Sequence, residues 1–107
     1  MTTLYAYKGK DFTENAIYLN ANGTPMNVTG LTSQIKIAKY FNSTEDNLTI
    51  SGAIVSPATS GTFLYTTTKE LLSALNYGTH VYSRYLYDSL GKTMSVVNGN
   101  FIIIPTV

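Results

Sequence analysis

Few side chains in this sequence could do chemistry. His80 is the only histidine in 107 residues and there is no cysteine, so thiolate metal sites, disulfides and Cys–His pairs are excluded, and the redox compartment is left open. Carboxylates pair twice, Asp11 with Glu14 and Glu45 with Asp46. Both pairs sit in polar, solvated segments that offer no argument for a general acid. The segment Asn42 to Asn47 around Glu45-Asp46 reads as an exposed loop and lacks the glycine and closing glutamate of a calcium loop. No glycine-flanked serine elbow, Walker loop or dinucleotide fingerprint occurs. His80 lies inside a strand-like run, where a half-buried structural imidazole outweighs a catalytic one. The chain therefore reads as no enzyme, with no catalytic, cofactor-binding or metal residue assigned and no cofactor expected.

Tyrosine is the residue type with a binding role open to it. Tyr5, Tyr7, Tyr40, Tyr65, Tyr77, Tyr82, Tyr85 and Tyr87 could form an aromatic platform for a sugar or a partner protein, since a phenol joins apolar area to a polar tip. Strand tyrosines mostly pack on sheets and no tryptophan strengthens a stacking platform, so a protein interface is favoured over a glycan site. Four Asn-x-Thr sequons, at Asn22, Asn27, Asn42 and Asn47, are what a chain with 16 Thr and 9 Asn produces by chance.

The elements that position these residues are strands. Leu4 to Lys8 alternates Leu4 and Ala6 against Tyr5 and Tyr7. Ala16 to Leu19 is a short run, followed by a reversal at Asn22-Gly23, where positive φ is wanted. After a bend over Asn27 to Leu31, the stretch Ser33 to Tyr40 sets Ile35 and Ile37 on a core face against Gln34, Lys36 and Ala38. Leu48 to Ser51 and Ala53 to Ser56 flank Gly52 as two short strands or one bulged strand. Pro57 to Gly61 turns into the strand Thr62 to Thr66. One short helical turn, Lys69 to Leu75, directs Leu71, Leu72 and Leu75 to one side, facing the end of the domain.

Gly78 then opens the longest strand, Thr79 to Tyr87. Its two faces are His80, Tyr82, Arg84, Leu86 and Val81, Ser83, Tyr85, Tyr87, and hydrophobicity does not separate them. A glycine, one residue and then the corner position resembles the entry to the penultimate strand of immunoglobulin-like sandwiches, which favours His80 and Tyr82 inward. Asp88 to Lys92 is a hairpin loop. Thr93 to Val97 and Phe101 to Ile104 make the last strand, broken by Asn98-Gly99-Asn100 as a bulge or a second turn and ended by Pro105.

Composition agrees with an all-β chain. Charged residues are 12% of the total, about half of what soluble domains carry, and polarity comes from Thr, Ser and Asn, while Tyr and Phe suit a half-buried sheet. A net charge of +1 with scattered charges points to neither nucleic acid nor an anionic membrane surface, and no run is long enough to span a membrane. The N-terminus shows no signal-peptide pattern, so the sequence reads as a chain made in a cytosol or as an excised domain. Residues 1–107 form one domain of a size that buries roughly two thirds of its unfolded surface.

The order of these features resembles a known family. Gly23-Thr24-Pro25-Met26-Asn27-Val28-Thr29-Gly30 is similar to the Gly-x-Pro-x-x-Leu-Thr-Gly turn of the N-terminal immunoglobulin-like domain of baseplate upper proteins from tailed phages and prophages of Gram-positive bacteria. Leu86-Tyr87-Asp88-Ser89-Leu90-Gly91 is similar to that family's strand ending in Asp and a glycine turn. Departures are Val28 for the usual leucine and His80 for the usual aromatic. The resemblance implies an immunoglobulin-like antiparallel β-sandwich and a structural role: a virion component that attaches to the tail, helps carry receptor-binding proteins and works among other tail proteins as a homo-oligomer. A carbohydrate-binding or adhesin-type module is the alternative. The segment Thr2 to Lys8 is the expected edge strand, and its deletion is expected to weaken assembly more than folding.

Overall fold

A computed structural model describes residues 2–41 and 47–104. The loop expected at residues 42–46, with Glu45, Asp46 and the Asn42 sequon, and Pro105 lie outside the described residues. The chain is built of β1 (Thr2–Tyr7), β2 (Phe12–Ile17), β3 (Thr32–Ala38), β4 (Leu48–Ile54), β5 (Thr62–Thr67), α1 (Lys69–Leu72), β6 (Gly78–Tyr87) and β7 (Thr93–Ile104). One hydrogen-bonded order runs β1-β7-β6-β3-β4-β5-β2, and it folds over at β4 into two layers. In these layers β2-β5-β4 and β3-β6-β7 stand in the order that immunoglobulin-like sandwiches use. The all-β sandwich is the observed architecture, with the expected helical turn at Lys69–Leu72 and a second, 3-10 turn at Ala58–Ser60.

Alternation explains which side chains fill the space between layers. Ile35 and Ile37 of β3 are buried with Ile50 of β4, Phe63 and Tyr65 of β5, Tyr82 and Leu86 of β6, and Phe101 and Ile103 of β7. The layers meet edge-on at Phe12 and Phe101, whose ring centres are 5.2 Å apart. His80, Tyr82 and Leu86 point inward, and Arg84 joins them on that face, the register expected from the corner.

Four expectations need correction. β1 runs parallel to β7, so the sandwich is mixed and not wholly antiparallel. β1 leads through a turn into the opposite layer, so no hairpin dictates its direction, and its ladder continues to a Lys8 N–H bond with the Ile104 carbonyl at 2.9 Å. It is the edge strand expected, and Leu4 and Ala6 are buried in the core. Asn98-Gly99-Asn100 is no turn: β7 is one 12-residue strand, held extended at Gly99 by β6 on one side and β1 on the other. The register shift falls at Leu86/Tyr87 instead.

β2 begins at Phe12 and not at Ala16, since Phe12 and Ala16 are both buried on one face and polar Thr13, Glu14 and Asn15 hide the period. In the helical segment Leu72 and Leu75 are buried while Leu71 is 54% exposed, because the tight Leu72–Leu75 turn eclipses positions three apart and turns Leu71 outward. Gly52 is where β4 changes layer: residues 48–51 pair with β3, and residues 52–54 with β5.

Candidate functional site

The outer face of the layer β1-β7-β6-β3-β4 is the feature most capable of binding. Side chains opposite the core share it row by row. Tyr5 lies beside Ile102, Val96 beside Tyr85, which lies beside Gln34, and Val81 beside Ala38. Tyr7, Ile104, Met94 and Tyr87 continue the surface. Tyr5, Tyr7, Met94 and Val96 are 54%, 48%, 50% and 47% exposed. Lys36 is the one charged side chain that the described strands place on this face, and its Nζ lies 5.2 Å from the Tyr85 ring centre. The rings of Tyr85 and Tyr87 stack with centres 5.8 Å apart and planes 7° apart. Lys36, Ala38, Phe41, Val81, Ser83 and Tyr85 border a hollow of about 220 Å³. Polar side chains, Asn98 bonded to Ser83 and Asn100 beside Val81, separate the two ends, so the face is a mixed one, rich in aromatic residues and poor in charge, a composition that protein interfaces favour.

The tyrosines named from sequence thus divide. Tyr5 and Tyr7 lie at one end of the outer face, beside Ile102 and Ile104, and Tyr85 and Tyr87 at the other, with Tyr85 six residues along β6 from the row of Tyr5. Tyr65 and Tyr82 are core residues, and burial pushes both phenols above the ordinary tyrosine pKa. Tyr40 is exposed just past the end of β3. Tyr77 stands apart under Lys8, whose Nζ is 4.5 Å from its ring centre and donates to the Leu75 carbonyl at 2.8 Å.

Tyr18 was not among them, although it matters most to the interior polar network. Ser33 Oγ donates to the Tyr85 carbonyl at 2.7 Å and bonds the Tyr65 hydroxyl, with the Tyr18 hydroxyl 3.4 Å away. Arg84 Nε–H donates to the Tyr18 hydroxyl at 3.2 Å and its guanidinium lies 5.4 Å from that ring's centre. This network ties β3, β5 and β6 together across the layers. Its signal in the sequence is the continuation of the Phe12, Glu14, Ala16 alternation by one more step.

The remaining candidates hold structure. His80 is buried and its Nδ1 lies 3.2 Å from the Gly78 carbonyl, which can only accept, so the proton sits on Nδ1. Asp11 Oδ1 accepts from the Lys69 N–H at 2.8 Å at the start of α1, whereas Glu14 stands in the β2 ladder opposite Tyr65, so the two carboxylates serve different places. Two sequons are turn locks: Asn22 Oδ1 accepts from the Thr24 N–H and hydroxyl at 3.1 and 2.7 Å, and Asn27 repeats this with Thr29 at the same distances. Asn47 of a third is exposed. Among the described residues no three His, Cys, Asp or Glu gather as a metal site, and no helix is long and apolar enough to cross a membrane.

No family model and no curated protein matches the chain. Among solved structures, it is similar to the N-terminal domain of phage TP901-1 ORF48 at 15% sequence identity, with a TM-score of 0.56, over 95% of this chain and 84% of that one. That likeness is one of fold: a phage domain shares this architecture.

Proposed function

We propose that the chain is a structural module of a phage tail baseplate, a virion component that attaches to the tail and helps to carry receptor-binding proteins. The observation that carries this reading is the charge-poor, tyrosine-bearing outer face of the five-stranded layer, a surface suited to a protein neighbour. The fold shared with a phage domain and the order of turns in the sequence support the same direction. The module works by contact, and no reaction is assigned to it. Gold-labelled antibody against the chain, applied to tailed particles from the source strain, is expected to mark the distal end of the tail. Particles without label there would overturn the proposal.

A second reading, a carbohydrate-binding module, has one observation in its favour: Tyr85 and Lys36 border the hollow on the outer face. The stack of Tyr85 with Tyr87 and the Lys36 ammonium already cover part of those ring faces, which leaves less for a sugar to lie on. A cell-wall polysaccharide and glycan panel at millimolar ligand is expected to give no binding. Saturable binding lost in Tyr85→Ala would favour this second reading.

A further inference from the structure

The sequence carries two Asn-Gly pairs, Asn22-Gly23 and Asn98-Gly99, and the fold treats them oppositely. The side-chain amide of asparagine is an electrophile, and the backbone nitrogen of the next residue is a nucleophile within reach of it. Glycine leaves that approach open because it has no side chain. Asn98-Gly99 lies inside β7, where Gly99 is buried and stands between Tyr82 of β6 and Thr2 of β1. Asn98 Oδ1 accepts from the Ser83 hydroxyl at 2.7 Å. Reaction there requires paired strands to open. Asn22-Gly23 stands in an exposed reversal after β2, where Gly23 has φ +86° and a Cβ would meet nothing within 4 Å. One turn bond engages its nitrogen, from the Gly23 N–H to the Asn20 carbonyl at 2.9 Å.

The turn also prepares the electrophile. Asn22 Oδ1 accepts from the Thr24 N–H at 3.1 Å and from the Thr24 hydroxyl at 2.7 Å. Asn20 Nδ2 donates to Thr24 Oγ1 at 3.2 Å, which occupies a lone pair of that oxygen and leaves its proton for Asn22. Negative charge develops on Oδ1 when the amide carbon is attacked, so the two Thr24 donors stand where an oxyanion forms. Asn27 supplies the comparison. Its Oδ1 takes the same pair of donors from Thr29 at the same distances, but the next residue is Val28. Val28 is branched at Cβ and fully buried, and its N–H is bonded to the Ala58 carbonyl at 3.1 Å. Equal donors thus sit beside an open nucleophile at Asn22 and a blocked one at Asn27.

We propose that Asn22 is a self-modification site, converted with water as co-reactant to an aspartyl or isoaspartyl residue, and that Thr24 supplies the oxyanion donors for the step. The Gly23 nitrogen gives its proton to water and bonds to Asn22 Cγ. The Cγ–Nδ2 bond then breaks, and Nδ2 takes a proton back from water and leaves as ammonia. Water opens the resulting five-membered imide at either carbonyl, which yields the two products, and no oxidant or reductant takes part. The formal net charge falls from +1 to zero. The isoaspartyl product also adds a backbone carbon to the turn closed by the Leu19–Pro25 bridge. The inference stands apart from the assembly reading and does not depend on it.

The purified full-length chain, incubated in heavy-oxygen water both folded and in urea, provides the test, with each asparagine followed by peptide mass spectrometry. Heavy oxygen in the new carboxylate marks conversion during the incubation. In urea the two Asn-Gly pairs are expected to convert at similar rates, since both are then unfolded. In the folded chain Asn22 is expected to convert at least about tenfold faster than Asn98 or Asn27, because opening a surface turn costs far less than opening paired strands. Thr24→Val keeps the backbone N–H and removes the hydroxyl. It should slow Asn22 severalfold in the folded chain and leave its rate in urea unchanged, which a general effect on the peptide would not do. A folded chain in which Asn22 converts no faster than Asn98 overturns the site. A folded Thr24→Val chain that converts Asn22 as fast as the parent, or faster, overturns the part given to Thr24.

Discussion

Gly52→Ala isolates the step that turns one strand order into two layers. A Cβ at this position would sit 2.7 Å from Tyr65 Cε1, 3.1 Å from Tyr65 Cδ1 and 3.3 Å from Phe63 Cδ1. Tyr65 and Phe63 are fully buried, and the Tyr65 hydroxyl is bonded to Ser33, so neither ring can swing away. Overpacking of this kind costs about 1–3 kcal/mol, and shifting the Tyr65 hydroxyl off Ser33 adds about 1 kcal/mol. Alanine's better strand entropy returns about 0.5–1 kcal/mol. The net loss is about 1–3.5 kcal/mol, which for a domain of this size lowers Tm by roughly 5–25 °C. Thermal and urea unfolding measure it, with Gly23→Ala as the comparison, since a Cβ there has nothing within 4 Å and meets only the strain of φ +86°. The clash should also be specific: Gly52→Ala combined with Tyr65→Leu should be less destabilised than the sum of the two singles by at least about 1 kcal/mol. A Gly52→Ala protein within 2 °C of the parent, taking about 2 °C as the resolution of the comparison, or strictly additive costs, would refute this account of the crossing.

Other consequences can be checked on the same purified chain. Leu4→Ala, in the edge strand β1, should cost about 2–4 kcal/mol in urea unfolding because the side chain lies in the core; a loss below about 1 kcal/mol would show β1 to be merely laid against the fold. Ser33→Ala leaves buried hydroxyls of Tyr18 and Tyr65 without their shared partner and should cost about 1–3 kcal/mol, and an unchanged midpoint would show that the network is not holding the layers. Stability should fall at alkaline pH. The folded pKa values of Tyr65 and Tyr82 are raised, so their contribution is complete below the unfolded phenol value of about 10 and is lost as pH climbs from there toward the folded values. The slope should approach about 1.4 kcal/mol per pH unit for each phenol, and Tyr65→Phe should remove about half of it. Stability independent of pH between about 9 and 11 would contradict the burial of these hydroxyls.

What the sequence reveals, it reveals through short-range rules. Ile35 and Ile37 alternate with polar neighbours, Asn22-Gly23 asks for positive φ, and the spacing from Gly78 favours one face of β6 inward without deciding it; the structure agrees with all three. The features it conceals depend on distant partners. Asn98-Gly99-Asn100 has the composition of a turn and is extended only because strands from both ends of the chain flank it. Gly52 reads as a bulge until Tyr65 is known to press on it. Phe12 and Tyr18 belong to one alternation that Glu14 masks. The outer face is hard to read for a related reason: both faces of β6 mix aromatic and aliphatic residues with polar ones, so hydrophobicity alone does not tell the core side from the exposed side. Nothing local in the sequence shows that Val96 stands beside Tyr85, or that Tyr5 and Tyr7 lie at the other end of the same face.

The most direct measurement of the assembly role is lysine acetylation of intact tailed particles from the source strain, compared with the isolated chain and read by mass spectrometry. Lys36 is the charged residue on the outer face, and Lys69 lies at the start of α1, away from it. If the face is covered by a tail protein, Lys36 is modified severalfold more slowly in the particle while Lys69 reacts at an unchanged rate. Equal Lys36 modification in both states would contradict the outer face as the surface through which this domain is built into a tail.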